Sequence, residues 1–137
     1  MIMDLRIRRR GTALVVNKDK EILLVSGRNK IFMLPGGGAN KHETRFDAAQ
    51  RELYEETGLK TVSAKFLFRY HSSTVHKAHG GYYFKDHHTV VLIKAKGRVK
   101  PRSDAKHHCW YKPGMDIKLT SATKKIIEKF NLGDYKK

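Results

Sequence analysis

The segment from Gly37 to Leu59, GGANKHETRFDAAQRELYEETGL, constrains the fold more than any other part of the chain. Thr44 can cap a helix, with Asp47 three residues on in a capping-box-like arrangement. The helix is expected to run to Thr57 and stop at Gly58, a suitable residue for a left-handed end, with Leu59 covering it. On that helix Phe46, Ala49 and Leu53 form a core-facing stripe. Glu52, Glu55 and Glu56, at i, i+3 and i+4, fall together on another face. Three like charges so close cost stability unless something neutralises them. A hard divalent cation that prefers oxygen ligands, Mg²⁺ or Mn²⁺ in its place, is the natural partner. Metal-assisted cleavage of a phosphate compound is the reading this spacing suggests.

The rest of the chain is expected to supply a sheet for this helix. Leu5 to Val16 reads as a strand, Asn17 to Lys20 as a polar turn and Ile22 to Val25 as a second strand, together a hairpin. Ile31 to Leu34 is a brief apolar run stopped by Pro35 and three glycines. After the helix come β-type segments at Val62 to Tyr70, Gly81 to Phe84, His88 to Ala95 and Cys109 to Tyr111. A last helix starts at Thr120 or Ser121 and runs through Phe130, with Ile126, Ile127 and Phe130 buried, and residues 133–137 read as a frayed tail. The order β-β-α-β-β-β-α predicts an α/β fold, a mixed sheet with helices on its faces. No repeat or linker divides the chain, so residues 1–137 are expected to form one domain.

Composition narrows the class. No apolar run approaches the roughly 20 residues that cross a bilayer, and the start, Met1 to Arg6, turns charged too early for a signal peptide. A single cysteine, Cys109, cannot form an internal disulfide. That agrees with a reducing, cytoplasmic setting and a buried structural thiol. Lys and Arg number 29 against 13 Asp and Glu, a formal charge of +16, which draws polyanions. Five of those acids (Glu43, Asp47, Glu52, Glu55, Glu56) lie inside the opening segment, leaving the remaining surface strongly basic.

Gly37, Glu43, Arg51, Glu52, Leu53, Glu55, Glu56, Gly58 and Leu59 fill every specified place of the pattern G-x5-E-x7-R-E-U-x-E-E-x-G-U, where U is aliphatic. The chain therefore resembles the Nudix hydrolases. The likeness extends to Leu34-Pro35-Gly36-Gly37 before the box, and to the Trp110 strand and final helix after it. The resemblance implies an α/β/α sandwich and Mg²⁺-dependent hydrolysis of a phosphoanhydride, leaving two phosphorylated products. It implies that Glu52, Glu55 and Glu56 are the main metal ligands, with the Gly37 carbonyl and Glu43 in support. Arg51 would orient a carboxylate by a bidentate contact. For the general base the family offers two precedents, a glutamate matching Glu52 or one on a later loop. No Glu occurs between Glu56 and Glu128, so Asp104 is the loop substitute and Asp86 a weaker one.

Substrate contacts are expected from Gly36 and Gly38, whose backbone can approach a ligand closely, and from Arg10, Tyr83 and Lys94. Tyr82, Tyr83 or Phe84 could stack on a base. Arg6, Arg8, Arg9 and Arg10 form one basic cluster; Lys94, Lys96, Arg98, Lys100, Arg102 and Lys106 form another, able to hold phosphates or an RNA backbone. The five histidines from His71 to His88 lack paired zinc spacing and read as a surface hairpin. Thr74-Val75 and His76-Lys77 stand where ADP-ribose and dinucleoside-polyphosphate types carry Pro and Tyr. The triple glycine, with Leu24-Val25-Ser26, is similar to the diphosphoinositol-polyphosphate branch. The leading expectation is a diphosphatase acting on a small nucleoside-diphosphate-linked or related polyphosphorylated compound. The alternatives are a diphosphoinositol-polyphosphate or capped-RNA phosphohydrolase, or a basic RNA-binding module with a non-catalytic box. No membrane partner is expected, and either a monomer or a homodimer fits.

Overall fold

The computed structural model describes residues 4–133, so the expectations for the first residues and for most of the C-terminal tail fall outside them. Strand β1 (Leu5–Leu14) is the axis of the main sheet. It pairs antiparallel with β4 (Gly36–Gly38) on one side and parallel with β7 (Tyr83–Lys96) on the other. Beyond β7 lies β5 (Lys60–His71), antiparallel, and the short β6 (His76–Lys77) also pairs with β7. The sheet is mixed, as the element order implied.

Side chains of adjacent β-residues point to opposite faces, so each strand feeds two cores. Ala13, Val15, Val91 and Ile93 pack with Ala49 and Leu53 of α1 (Arg45–Thr57). Leu14, Val90 and Phe68 pack with Ile126 and Ile127 of α2 (Ser121–Leu132). The result is helix, sheet, helix. α1 rests unusually close to β1 at Gly11, where any Cβ would run into the Arg45 carbonyl and the Ala49 nitrogen.

Both helices begin and end as the sequence suggests. Thr44 Oγ1 accepts the Asp47 N–H at 3.0 Å, and Gly58 closes α1 with φ 76°. Thr120 caps α2 and Gly133 ends it at φ 70°.

Three expectations need correction. The first two strands close only a turn, with Val16 and Ile22 forming a single bridge. β2 (Ile22–Ser26) then leaves the main sheet and pairs antiparallel with β8 (His107–Tyr111). All five β2 residues are buried, because Ile22 and Leu24 serve the α2 core while Leu23 serves the α1 core. Second, Gly81 to Phe84 and His88 to Ala95 are not separate segments. The intervening Lys85, Asp86 and His87 stay in β7 because they pair with Ile7, Arg8 and Arg9 of β1. Third, Cys109 is only half-buried; it lies opposite Leu24, and burial pushes its thiol pKa up. The short β3 (Ile31–Phe32) and β9 (Lys118–Leu119) pair parallel and carry too few residues for any periodic signal. Among the described residues no helix is long and apolar enough to cross a membrane.

Candidate active site

The glycine strand β4 and the second half of α1 lie against each other and together line a cleft of about 410 Å³. Its walls include Arg10 from β1, Gly36 and Gly37 from β4, Glu52 and Glu56 from α1, and Asp104 from a loop before β8. Helix spacing delivers the two carboxylates to the wall, and the glycines let the β4 backbone lie directly against them. The absence of a side chain at Gly37 is required, since a Cβ there would stand 2.5–2.9 Å from the Glu52 carboxyl atoms.

Glu56 is the most perturbed acid in the cleft. Burial, aided by the neighbouring Glu52 charge, pushes its pKa up to about 8, against the Gly36 N–H that donates to Oε1 at 3.1 Å. Two carboxylates held this close in a half-buried wall cannot both be ionised cheaply without a cation. Their oxygen chemistry, with a glycine backbone beside it, suits a hard divalent ion.

Arg51 organises the other acids. Its Nε and Nη2 donate to Glu43 Oε2 and Oε1 at 2.8 and 2.9 Å, a bidentate pair. Nη1 reaches Glu52 at 3.0 Å and Glu55 at 3.1 Å, and Nη2 also donates to the Gly38 carbonyl at 3.0 Å. Glu43 additionally accepts the Asn40 N–H at 2.9 Å, and its pKa is drawn down to about 2, chiefly by Arg51. The orienting role expected of Arg51 thus extends to three carboxylates. With that guanidinium among them, no group of three or more His, Cys, Asp or Glu is arranged as a ready cation cage among the described residues. The histidine-rich segment forms none either: His71 stacks on His87 at 3.7 Å and His76 on Phe84 at 5.0 Å.

The loop carrying Asp104 is tied to the end of α1. Arg102 N–H donates to the Glu56 carbonyl at 2.8 Å, and Lys100 N–H to Thr57 at 2.9 Å, satisfying carbonyls the helix leaves open. Lys106 N–H donates to Ser26 on β2 at 2.8 Å, so Asp104 is carried to the cleft edge. Asp86 is committed elsewhere, accepting Arg8 Nε and Nη2 at 2.6 and 2.9 Å. Burial raises its pKa, but those bonds outweigh burial and the net shift is downward.

Of the sequence-derived site residues, the structure brings Arg10, Gly36, Gly37, Glu52, Glu56 and Asp104 to one cleft, with Glu43, Glu55 and Gly38 joined through Arg51. Tyr83 and Lys94 lie apart from it. Tyr83 starts β7 opposite Leu5 and Lys77, and Lys94 is exposed opposite Ser63, beyond the β1 pairing. Sequence reasoning missed a second cavity of about 180 Å³ adjoining the cleft, which shares Arg10 and Met33 with it and is lined also by His88. The one available signal was the alternation placing Arg8, Arg10 and Thr12 on one strand face.

The NUDIX domain family model matches residues 7–130. A nudix hydrolase family member from Chromobacterium violaceum superposes with a TM-score of 0.76 at 29% identity, covering 92% of this chain and 77% of that one. A MutT NUDIX hydrolase from Burkholderia pseudomallei gives 0.72 at 23%, covering 89% and 96%, a likeness of fold. Two curated relatives are named RNA pyrophosphohydrolase. The protein from Bartonella clarridgeiae is 47% identical over 47 residues, 31% of this chain and 27% of the relative. The protein from Brucella anthropi is 42% identical over 53 residues, 39% of this chain and 28% of the relative. These matches thus span little more than a quarter of either relative's length. With the family match running nearly end to end, this chain belongs to the NUDIX domain family.

Proposed function

We propose that this protein is a divalent-cation-dependent diphosphatase that hydrolyses a phosphoanhydride bond in a polyphosphorylated substrate. The observation that carries the reading is the close Glu52–Glu56 pair facing Arg10 across the glycine-walled cleft, an acid pair poised for a cation beside a fixed positive charge. Glu52 and Glu56 would hold Mg²⁺ or Mn²⁺, with the Gly37 carbonyl, Glu55 and Glu43 as further oxygen donors. Bound there, the ion supplies charge neutralisation of the diphosphate and acidification of the attacking water.

The chain's own groups do the rest. Arg10 attracts the substrate's anionic oxygens and positions them beside the acid pair. Arg51 keeps the carboxylates oriented and prevents their mutual repulsion from opening the helix face. Water oxygen adds to one phosphorus, the bridging P–O bond breaks, and the water's proton passes to a carboxylate, Glu52 or Asp104. The leaving phosphate keeps the bridging oxygen, so two phosphorylated products result.

The relatives' name, the +16 charge and the exposed arginines of β1 favour a second reading of the substrate, the 5′-pyrophosphate end of an RNA. A panel assayed with Mg²⁺ decides between them: nucleoside triphosphates, nucleotide sugars, dinucleoside polyphosphates, inositol pyrophosphates, and capped or 5′-triphosphate RNA. Turnover of one class, lost in Glu55→Gln and Glu56→Gln, is the expected result. Turnover unchanged in both variants contradicts the mechanism. Salt-sensitive RNA binding with no hydrolysis of any panel member would instead favour a binding module. Comparing Glu52→Gln with Asp104→Asn identifies the base, the true one losing the rise of kcat with pH.

A further inference from the structure

We propose that the cavity adjoining the cleft is an anion site that takes a phosphoryl group, held by Arg10, His88 and the N-terminal turn of α2. Arg10 is 7% exposed and its Nε has no hydrogen-bond partner, an expensive state for a guanidinium that stays charged. His88, opposite Arg10 in the β1–β7 register, is 5% exposed, and its Nε2 is likewise unpartnered. Its Nδ1 lies 2.7 Å from Thr12 Oγ1. With that hydroxyl donating, Nε2 carries the ring proton as an unpaired donor buried in the cavity wall.

The third component is α2. Thr120, Ser121 and Ala122 line the cavity, and they open a 12-residue helix with no acid in its first turn. The positive end of that helix therefore faces the same space; Thr120 Oγ1 takes the Thr123 N–H, which leaves the Ser121 and Ala122 N–H groups without an intrahelical partner. The one carboxylate on the wall, Asp86, is already neutralised by Arg8. Leu34 and Ile126 supply an apolar floor, which strengthens electrostatic attraction. Among the described residues no Phe, Tyr or Trp lines the cavity, whose only aromatic rings are the imidazoles of His76 and His88. Beyond the Arg8–Asp86 pair the cavity wall holds the Arg10 guanidinium, whose other acidic neighbours, Glu52 and Glu56, line the adjoining cleft and not this cavity, and hydrogen-bond donors without partners.

Two sources could supply the anion, a further phosphoryl group of the substrate or free inorganic phosphate. The first rests on the diphosphatase reading: because the cavity shares Arg10 and Met33 with the cleft, a substrate spanning both carries a phosphoryl group beyond the pair at the scissile bond. The site itself does not depend on that reading.

The test is titration of the intact protein with inorganic phosphate in EDTA, followed by amide NMR and by thermal unfolding. The expected result is saturable shifts centred on Ser121, Ala122 and His88, with a rise in Tm. Affinity should fall about tenfold or more in Arg10→Met, the worth of a charge-assisted hydrogen bond. Ser121→Glu, which sets an acid at the helix end and leaves Arg10 in place, should weaken phosphate similarly and guards against a folding artefact in the first variant. Shifts confined to exposed arginines, or equal phosphate affinity in all three proteins, overturn the site. So does saturable binding there of an uncharged nucleoside in preference to phosphate. Kinetics then separate the sources. If Ser121→Glu, which touches the cavity and not the cleft, raises KM more for a triphosphate than for a diphosphate, the anion belongs to the substrate. If both change equally while phosphate protection is lost, it is free phosphate. Failure of hydrolysis in every protein would remove the diphosphatase reading and leave the EDTA result standing.

Discussion

Glu56 carries the clearest residue-scale consequence. Its pKa of about 8 in the folded, metal-free protein stands above the ordinary 4.5, so folding favours the protonated form. Stability from this group is full below pH 4.5 and is lost as pH rises toward 8, by an amount on the order of a few kcal/mol. His88 works in the opposite sense: burial, then Arg10, lower its pKa to about 4 from 6.5, so its contribution falls as the solution is acidified through that window. Between pH 6.5 and 8 the Glu56 effect therefore stands apart. In EDTA, the Tm of the wild type should decline across that interval, and Glu56→Gln should flatten the decline; parallel curves would contradict the assignment. Arg51→Gln should lower the midpoint of urea unfolding, because Glu43, Glu52 and Glu55 lose a shared partner, and the loss should shrink at high salt, which screens these partly exposed pairs. Most of these acids were legible from helical spacing and from the box. Arg10 was legible as a basic residue, and alternation sets it on the face opposite Arg9, but nothing local distinguishes it from the exposed Arg8 on its own face. Its burial, and the meeting of His88 with Thr12, depend on a strand register set 76 to 78 residues away.

The elements hold the site through two contacts. α1 is seated on β1 at Gly11, and the loop bearing Asp104 is stitched to the last carbonyls of α1. Gly11→Ala forces a methyl into helix backbone that cannot swing aside, so it should destabilise by about 3 kcal/mol or more and displace the carboxylates. Thr44→Ala removes only a cap, with an expected loss of about 1 kcal/mol. Denaturant unfolding of the two variants should show that order; an equal loss would mean that β1 and α1 do not approach as described. Helix ends were readable because caps and terminal glycines act within a few residues. The partner of β2 was not. A polar turn after β1 signals a hairpin, whereas pairing with β8 depends on Leu24 meeting Cys109, 85 positions later. β7 was split at Lys85-Asp86-His87 because its polarity is matched by β1, a neighbour invisible to local periodicity.

At the scale of the whole molecule, two helices on a mixed sheet follow from the order of elements, while the strand sequence β4-β1-β7-β5 needed the structure. Charge is the property composition does predict. A surface with an excess of 16 positive charges should bind RNA, with log affinity falling linearly in log salt concentration. Filter binding with Glu56→Gln would measure this without turnover, and a salt-independent affinity would count against a phosphate-contacting face. The central claim is that the acid pair of α1, through a divalent cation, cuts a diphosphate. Its most direct test is a Mg²⁺ titration of initial rates on the preferred substrate, run in parallel on the wild type, Glu52→Gln and Glu56→Gln. The account predicts saturable activation by Mg²⁺ in the wild type and a drop in kcat of about a hundredfold or more in each variant. Full turnover in EDTA, or variants that keep wild-type kcat and Mg²⁺ response, would contradict it.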